Sequence, residues 1–207
     1  MKPMDSQKNK YIAQLPAVLF VVVMCSAMPV RAGLVLPELM KSMADIKASE
    51  VDFTEERHNQ LLQKPMKLSG KLIYKAPNTL IKQTIKPLEE TFIISGPTLA
   101  VERMREGKMQ RHEVILDDFP ALAPIVLGLR SVLSGDLKTL EQHYLPELNG
   151  IYEDWTLVLK PRRRAFEEDD WLKDVVKSVT IKGSGTHVSR VEILEPGGDR
   201  SITRIKH

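Results

Sequence analysis

The chain has 207 residues, of which 43% are hydrophobic, and a formal net charge of +3 from 30 basic and 27 acidic side chains. This length allows one domain with a substantial core. The near-neutral charge excludes a strong electrostatic attraction to nucleic acid. The single cysteine, Cys25, excludes an internal disulfide.

The first 32 residues have the pattern of a secretory signal peptide. Three lysines among the first ten residues precede the uncharged stretch 15–28, which is too short to span a bilayer as a helix. Small residues in Val30-Arg31-Ala32 predict cleavage after Ala32, so that residues 33–207 form the exported domain. An uncleaved membrane anchor is the alternative. Cleavage would remove four basic residues, one acidic residue and the cysteine, which leaves a neutral chain with 26 charges of each sign.

The next segments are predicted to be one helix followed by many short strands. Apolar residues over 36–46 follow helical spacing. From Ser49 the period changes to two, and Val51, Phe53 and Glu55 share one face. Similar alternation predicts the strands Lys67–Ala76, Leu80–Ile85, Thr91–Ile94, Leu99–Met104, Trp155–Lys160, Val175–Lys182, Val188–Leu194 and Ser201–Lys206. We expect about eight to eleven strands, which is more than a flat sheet carries comfortably, so the antiparallel sheet should be curved.

A helical insert interrupts the strands between about Phe119 and Tyr144. Asp118 can cap its first helix, and Ser134-Gly135-Asp136 ends that helix and caps a second, shorter one. The first helix carries an apolar stripe at the spacing of one helix face, formed by Leu122, Ile125, Val126, Leu129, Val132 and Leu133. Both helices have one apolar side, so we expect the insert to cover the concave face of the sheet as a lid.

The sequence contains no pattern typical of catalysis or metal binding. None of the five histidines stands at a ligand spacing such as HExxH, and no serine lies in a GxSxG elbow. The segment Gly183-Ser184-Gly185-Thr186 lacks the lysine that ends a phosphate-binding loop, and it is typical of a hairpin turn instead. We therefore predict no enzymatic activity, cofactor or metal. An enzyme that acts on acyl substrates is a further hypothesis.

Opposite charges form a loop between two predicted strands, with Arg162-Arg163-Arg164 followed by Glu167-Glu168-Asp169-Asp170. Charges in such a loop usually partner each other or water. The alternative is a docking loop for a membrane partner that hands over cargo. Phe166 and Trp171 favour this alternative, because exposed aromatic residues often anchor protein contacts.

Several segments resemble the periplasmic lipoprotein carrier LolA and its relatives. They are Val51-Asp52-Phe53-Thr54-Glu55-Glu56, Gly70-Lys71-Leu72-Ile73-Tyr74-Lys75-Ala76-Pro77, Asp118-Phe119-Pro120, Ser134-Gly135-Asp136 and Glu195-Pro196-Gly197-Gly198-Asp199. The resemblance implies an incomplete antiparallel barrel with a helical lid, which carries acylated cargo from an inner-membrane donor complex to an outer-membrane acceptor. Typical members have an arginine at the position of Ala76 that ties the lid by hydrogen bonds, so this chain departs from the family pattern there.

Together, the pattern and the resemblance predict a mainly β (α+β) fold, in which a curved antiparallel sheet forms an incomplete barrel with an N-terminal helix and a helical lid insert. The predicted function is that of a monomeric, non-catalytic periplasmic carrier for the acyl chains of a lipoprotein or of a free lipid or glycolipid. The alternative is a periplasmic scaffold in which the sheet and the helices fill each other's core. The predicted lipid-binding residues are Leu68, Leu72, Tyr74, Phe92, Ile94, Val101, Leu122, Ile125, Val126, Leu129, Trp155 and Leu157.

Overall fold

The computed structural model describes residues 33–118, 123–162 and 176–207. The predicted signal peptide, Leu122 and the charged loop from residue 163 to 175 lie outside the described residues. None of the helices in the described part of the chain is long and apolar enough to cross a membrane.

The described residues form three α-helices, one 3₁₀ turn and eleven strands. The helices are α1 (Leu36–Met43), α2 (Ala123–Ser134) and α3 (Leu137–His143), and the 3₁₀ turn is Leu116–Asp118. The strands are β1 (Ala48–His58), β2 (Met66–Lys75), β3 (Thr79–Lys86), β4 (Glu90–Ser95), β5 (Thr98–Arg105), β6 (Lys108–Ile115), β7 (Tyr144–Ile151), β8 (Asp154–Pro161), β9 (Ser178–Ser184), β10 (His187–Leu194) and β11 (Arg200–Lys206).

The strands form one antiparallel sheet in the order β6-β5-β4-β3-β2-β1-β11-β10-β9-β8-β7. The first and last strands meet in the middle of this sheet, where Phe53 on β1 lies opposite Ile205 on β11. The two edge strands, β6 and β7, are not paired with each other in the described chain. The sheet is therefore an open, incomplete barrel, which confirms the predicted fold class.

Alternation along the strands places one apolar face inward, as predicted. In β1, Phe53 and Glu55 are buried. In β8, Trp155, Leu157 and Leu159 are fully buried, while the residues between them are more exposed. The period of two thus assigns the inner face correctly in these strands.

The alternation does not predict β6 and β7, which are the two edges of the sheet. In β6 every residue except the half-buried Val114 is exposed, so no apolar face marks this strand in the sequence. In β7, Pro146 and Gly150 obscure the pattern. A proline is tolerated there because an edge strand has one side without a ladder of hydrogen bonds.

A glycine permits a close approach of strands near the centre of the sheet. The pairing of β2 with β3 shifts in register between Ser69 and Gly70, and a Cβ atom at Gly70 would collide with the carbonyl oxygen of Gln83. A register shift of this kind bends the strand and increases its twist. Gly70 therefore helps to curve the sheet over its inner face.

The main core fills one half of the concave face. Helix α1 contributes Leu39, Met40 and Met43, which are at most 1% exposed, and the apolar residues of β8 and β9 lie below it. The cluster consists of Leu39, Met40, Met43, Val132, Leu140, Tyr144, Trp155, Leu157, Leu159, Val176, Val179, Ile181 and Val191. In this half, the helices and the sheet pack against each other and form one filled core.

Helix α2 lies over the inner face and is held near both ends. Val126 packs with Leu99 and Leu116 in a second cluster, and Val132 belongs to the main core. Regular helix begins at Ala123, whereas Asp118, the predicted cap, lies in the 3₁₀ turn. The predicted cap of α3 is confirmed, because the Asp136 side chain accepts a hydrogen bond from Thr139 N at 3.0 Å.

A tyrosine fixes α2 against the start of β7. The Tyr144 hydroxyl donates to the carbonyl oxygen of Pro124, and a Cβ atom at Gly128 would lie 3.1 Å from Tyr144 Cζ. Glycine at this position therefore lets the helix sit directly on the ring. Burial raises the pKa of the Tyr144 hydroxyl, so the hydroxyl stays a hydrogen-bond donor at neutral pH.

Candidate functional site

A cavity of about 640 Å³ lies between α2 and the inner face of the sheet. Its apolar wall contains Val51, Leu72, Tyr74, Leu80, Phe92, Ile94 and Leu99 from β1 to β5, Ile181, Val191, Ile193 and Ile205 from β9 to β11, and Ile125, Val126, Leu129, Val132 and Leu133 from α2. Ligand sites commonly measure about 300–1,000 Å³ and are lined mostly by apolar side chains. The cavity therefore has the size and the chemistry of a binding site for an apolar ligand.

The cavity follows β1 along its length. Residues that line it occur from Ala48 to His58 on this strand. An acyl chain can therefore contact the strand at several positions.

The structure brings seven of the predicted lipid-binding residues together on the cavity wall. Leu72 and Tyr74 lie on β2, Phe92 and Ile94 lie on β4, and the lid contributes the rest. The seven are Leu72, Tyr74, Phe92, Ile94, Ile125, Val126 and Leu129. Their role in binding stays a prediction.

Four other predicted residues are not on this wall. Trp155 and Leu157 are fully buried in the main core, because α1 covers the half of the sheet to which β8 belongs. Val101 packs against the second cluster, and Leu68 is buried on β2. The structure therefore does not bring these four residues to the cavity wall, their role in binding stays a prediction, and Leu122 lies outside the described residues.

Polar side chains on the cavity wall are absent from the predicted set. Glu55, Arg57, Lys82 and Thr203 all line the cavity. The inward position of Glu55 follows from the alternation of β1. The position of Lys82 depends on the pairing of β3 with β2, where Lys82 lies opposite Leu72, so the register was needed to find it.

These four residues form a polar cluster around the carboxylate of Glu55, whose side chain is 1% exposed. Arg57 Nε donates to Oε1 at 2.5 Å. Lys82 Nζ donates to Oε2, and Thr203 Oγ1 donates to the same oxygen at 3.1 Å. Lys82 Nζ also lies 5.1 Å from the centre of the Phe53 ring. A buried carboxylate is costly unless it is paired in this way.

The polar cluster predicts sensitivity to acid. Burial by itself would raise the pKa of Glu55, but Lys82 and Arg57 outweigh burial and hold this pKa below the ordinary value of 4.5. A lowered folded-state pKa stabilises the protein above the unfolded-state pKa, and this stabilisation is lost as the pH falls through the folded-state value. We expect the free energy of unfolding in urea to fall below about pH 4.5.

The Glu55→Gln variant should show a shallower decline over the same pH range, since the amide does not titrate. The exposed Glu153 provides a control, because Glu153→Gln should keep the wild-type slope. An unchanged slope in Glu55→Gln would contradict the assignment of this acid sensitivity to Glu55.

Tyr74 adds a second polar group to the wall. Its side chain is buried, and its hydroxyl has no hydrogen-bond partner among the described residues. Burial raises the pKa of this hydroxyl, so it stays protonated at neutral pH. A protonated hydroxyl at the wall can bind a polar atom of a ligand or a water molecule.

Comparison with known proteins agrees with this architecture. The family described as "Outer membrane lipoprotein carrier protein LolA-like" matches residues 25–205. The chain belongs to this LolA-like family. The family is one of carrier proteins rather than enzymes, and no curated protein matches the chain. Within the described residues, no group of three or more His, Cys, Asp and Glu side chains could hold a metal ion.

Two solved structures are similar to this LolA-like chain. A LolA superfamily protein from Nitrosomonas europaea has 10% sequence identity and a TM-score of 0.42, over 84% of this chain and 93% of that protein. A DUF1329 family protein from Desulfovibrio piger ATCC 29098 has 9% identity and a TM-score of 0.36, over 83% of this chain and 89% of that protein.

Besides the bond from Tyr144, a second hydrogen bond between lid and sheet of this LolA-like chain is donated by the lid itself. Ala76, at the position of the family arginine, is exposed, and its backbone N–H donates to Lys47 O at 2.8 Å. Arg130 on α2 instead donates from Nη1 to the carbonyl oxygen of Gly96, between β4 and β5, at 2.8 Å. The chain therefore has an arginine contact between lid and sheet, in which the lid supplies the arginine.

Proposed function

We propose that this chain is a periplasmic carrier that binds acyl chains in its cavity and moves them towards the outer membrane. The observation that carries the proposal is the mostly apolar cavity beneath a lid helix. Membership in the LolA-like family supports it. The proposed cargo is a lipoprotein or a lipid, received from an inner-membrane donor and delivered to an outer-membrane acceptor by a monomer of residues 33–207.

The energetics allow loading and release. Transfer of an acyl chain from water gains about 0.8 kcal/mol per methylene, so a chain of about sixteen carbons gains on the order of 10 kcal/mol. Opening the lid costs the apolar contacts that Val126 and Val132 make in the two clusters. Since the two terms oppose each other, the lid can exchange contacts with the sheet for contacts with a ligand.

The scaffold alternative requires a filled interior. The half of the sheet beneath α1 fits this requirement, because its residues are fully buried. The half beneath α2 does not, since about 640 Å³ of space stays open there. The carrier is therefore the function that the geometry supports better.

Binding and transfer of a labelled lipid test the proposal. The protein is expressed from its full sequence in a Gram-negative host, purified from the periplasmic fraction and titrated with a fluorescent fatty acid. We expect saturable binding that unlabelled fatty acid displaces, and faster transfer of the label between donor and acceptor vesicles. Absence of both effects would overturn the carrier and favour the scaffold.

Removal of the lid arginine should accelerate release. Arg130→Met deletes the hydrogen bond to Gly96, and hydrogen bonds to charged groups contribute about 1.5–3 kcal/mol. We expect the dissociation rate of the fluorescent fatty acid, measured by stopped flow, to rise about tenfold. Lys138→Met, an exposed change on α3, should leave the rate unchanged. Equal rates in both variants would show that this contact does not restrain the lid.

A further inference from the structure

The polar cluster on the cavity wall contains more positive than negative charge. Lys82 and Arg57 both donate to the single carboxylate of Glu55. No other acid forms an ion pair with either cation within 33–118, 123–162 and 176–207. The nearby Glu90 is paired with Arg103. The cluster thus carries a net charge of about +1, and it lies beside the apolar wall of a cavity that Glu195, Asp199 and Arg200 also line.

The two cations keep hydrogen-bonding capacity after binding Glu55. A lysine ammonium has three N–H donors and an arginine guanidinium has five, and each uses one of them on the carboxylate. The side chains of Lys82 and Arg57 are 26% and 46% exposed. Because both residues line the cavity, a ligand inside it can reach the remaining donors.

The fold holds Lys82 in this position. Gly70 lies on β2 between β1 and β3 and lets the β3 backbone approach closely, and the Lys82 ammonium reaches across β2 to Glu55. Contact with the Phe53 ring adds a second constraint on the ammonium. A few fixed polar groups in an apolar pocket orient a ligand and give specificity.

We infer that Lys82 and Arg57 bind an anionic headgroup, so that the cargo is an amphiphile with an acyl chain and a carboxylate or phosphate group. Glu55 holds the two cations in place and leaves one positive charge for the ligand. This inference rests on the proposed function, because the acyl chain of such a ligand would occupy the apolar cavity. It favours an acidic lipid over a cargo without an anionic group near its acyl chains.

The test compares three ligands with the same alkyl chain length, namely dodecanoate, dodecyl phosphate and uncharged dodecanol. Each displaces a neutral solvatochromic dye from the wild-type protein at neutral pH. We expect at least one of the two anions to bind about tenfold or more tightly than dodecanol, as hydrogen bonds to charged groups allow. The tighter anion identifies the carboxylate or the phosphate as the better ligand.

One triple and one double variant separate the cluster from general surface charge. Glu55→Gln with Lys82→Gln and Arg57→Gln removes both cations together with the carboxylate that they share, and it should reduce the preference for anions to within about twofold of dodecanol. The control is Glu50→Gln with Lys71→Gln, an ion pair on the other face of β1 and β2 with an N–O distance of 2.7 Å. This control should keep the wild-type preference.

A single variant provides a test that does not depend on the buried pair. Arg57 is half-exposed, and Arg57→Gln should weaken anion binding several-fold while dodecanol binding stays the same. If dodecanol and both anions bind equally well to the wild type, or if the preference survives in the triple variant, the inference is wrong, whereas the proposed carrier function still stands. If none of the three ligands binds, the proposed function fails as well.

Discussion

Filling the cavity with an indole ring should abolish binding and leave the fold intact. Leu72 lies on the cavity wall, where it is opposite Val51 and Lys82. In Leu72→Trp we expect the affinity for a fluorescent fatty acid to fall at least tenfold, because the ring takes up space that the ligand needs. The free energy of unfolding should change by less than about 1 kcal/mol, since the ring enters open space rather than a packed core.

Leu157→Trp is the matched control for this experiment. Leu157 is fully buried and packs in the main core. Enlarging a side chain there typically costs about 1–3 kcal/mol. Urea unfolding should therefore separate the two variants, while probe binding by folded Leu157→Trp stays near the wild-type value. Equal destabilisation in both variants, with binding retained in Leu72→Trp, would show that no usable cavity exists under α2.

Removal of Lys82 should have the largest effect on stability. In Lys82→Met the buried carboxylate of Glu55 keeps Arg57 and Thr203 but loses its ammonium partner. The buried carboxylate is then compensated only by the half-exposed Arg57, and we expect a destabilisation of about 3 kcal/mol. Urea unfolding at neutral pH measures it.

A double-mutant cycle assigns this loss to the pair. Combining Lys82→Met with Glu55→Gln should restore stability to within about 1 kcal/mol of the wild type, since no buried charge is then left unpaired. The exposed pair of Glu50 and Lys71 should give a coupling energy below about 1 kcal/mol in the same cycle. Similar coupling energies in the two cycles would mean that Glu55 is solvated rather than buried.

The central strands and the helices could be predicted because each has a clear period. Alternation around Phe53 and Trp155 predicts which side chains face inward. The spacing of three and four residues around Leu129 predicts the lid helix. The edge strands could not be predicted. Nearly every residue of β6 is exposed, so no hydrophobic period marks that strand.

The cavity could be predicted only in part. Leu72 and Leu157 both point inward from the sheet, and the strand around each residue shows the same alternation of apolar and polar residues. One lines open space and the other is fully packed, because α1 covers the second half of the sheet and α2 bridges the first. The distinction depends on where the helices lie, and the apolar alternation of a strand does not predict the position of a helix.

The polar cluster shows a second limit of sequence reasoning. Glu55 and Lys82 lie on strands that do not pair with each other, and β2 separates them. Their contact becomes visible only when the register of both pairings is known. A lysine in an alternating strand otherwise indicates a solvent-facing position.

The lipid content of the purified protein tests the carrier most directly. The protein is expressed from its full sequence, isolated from the periplasmic fraction without detergent and extracted with organic solvent for mass spectrometry, alongside Leu72→Trp as the filled-cavity control. We predict that a defined acylated molecule accompanies the wild type at near-stoichiometric amounts and is depleted in the variant. Wild-type protein that is consistently free of lipid, or equal amounts of lipid in both proteins, would contradict the account.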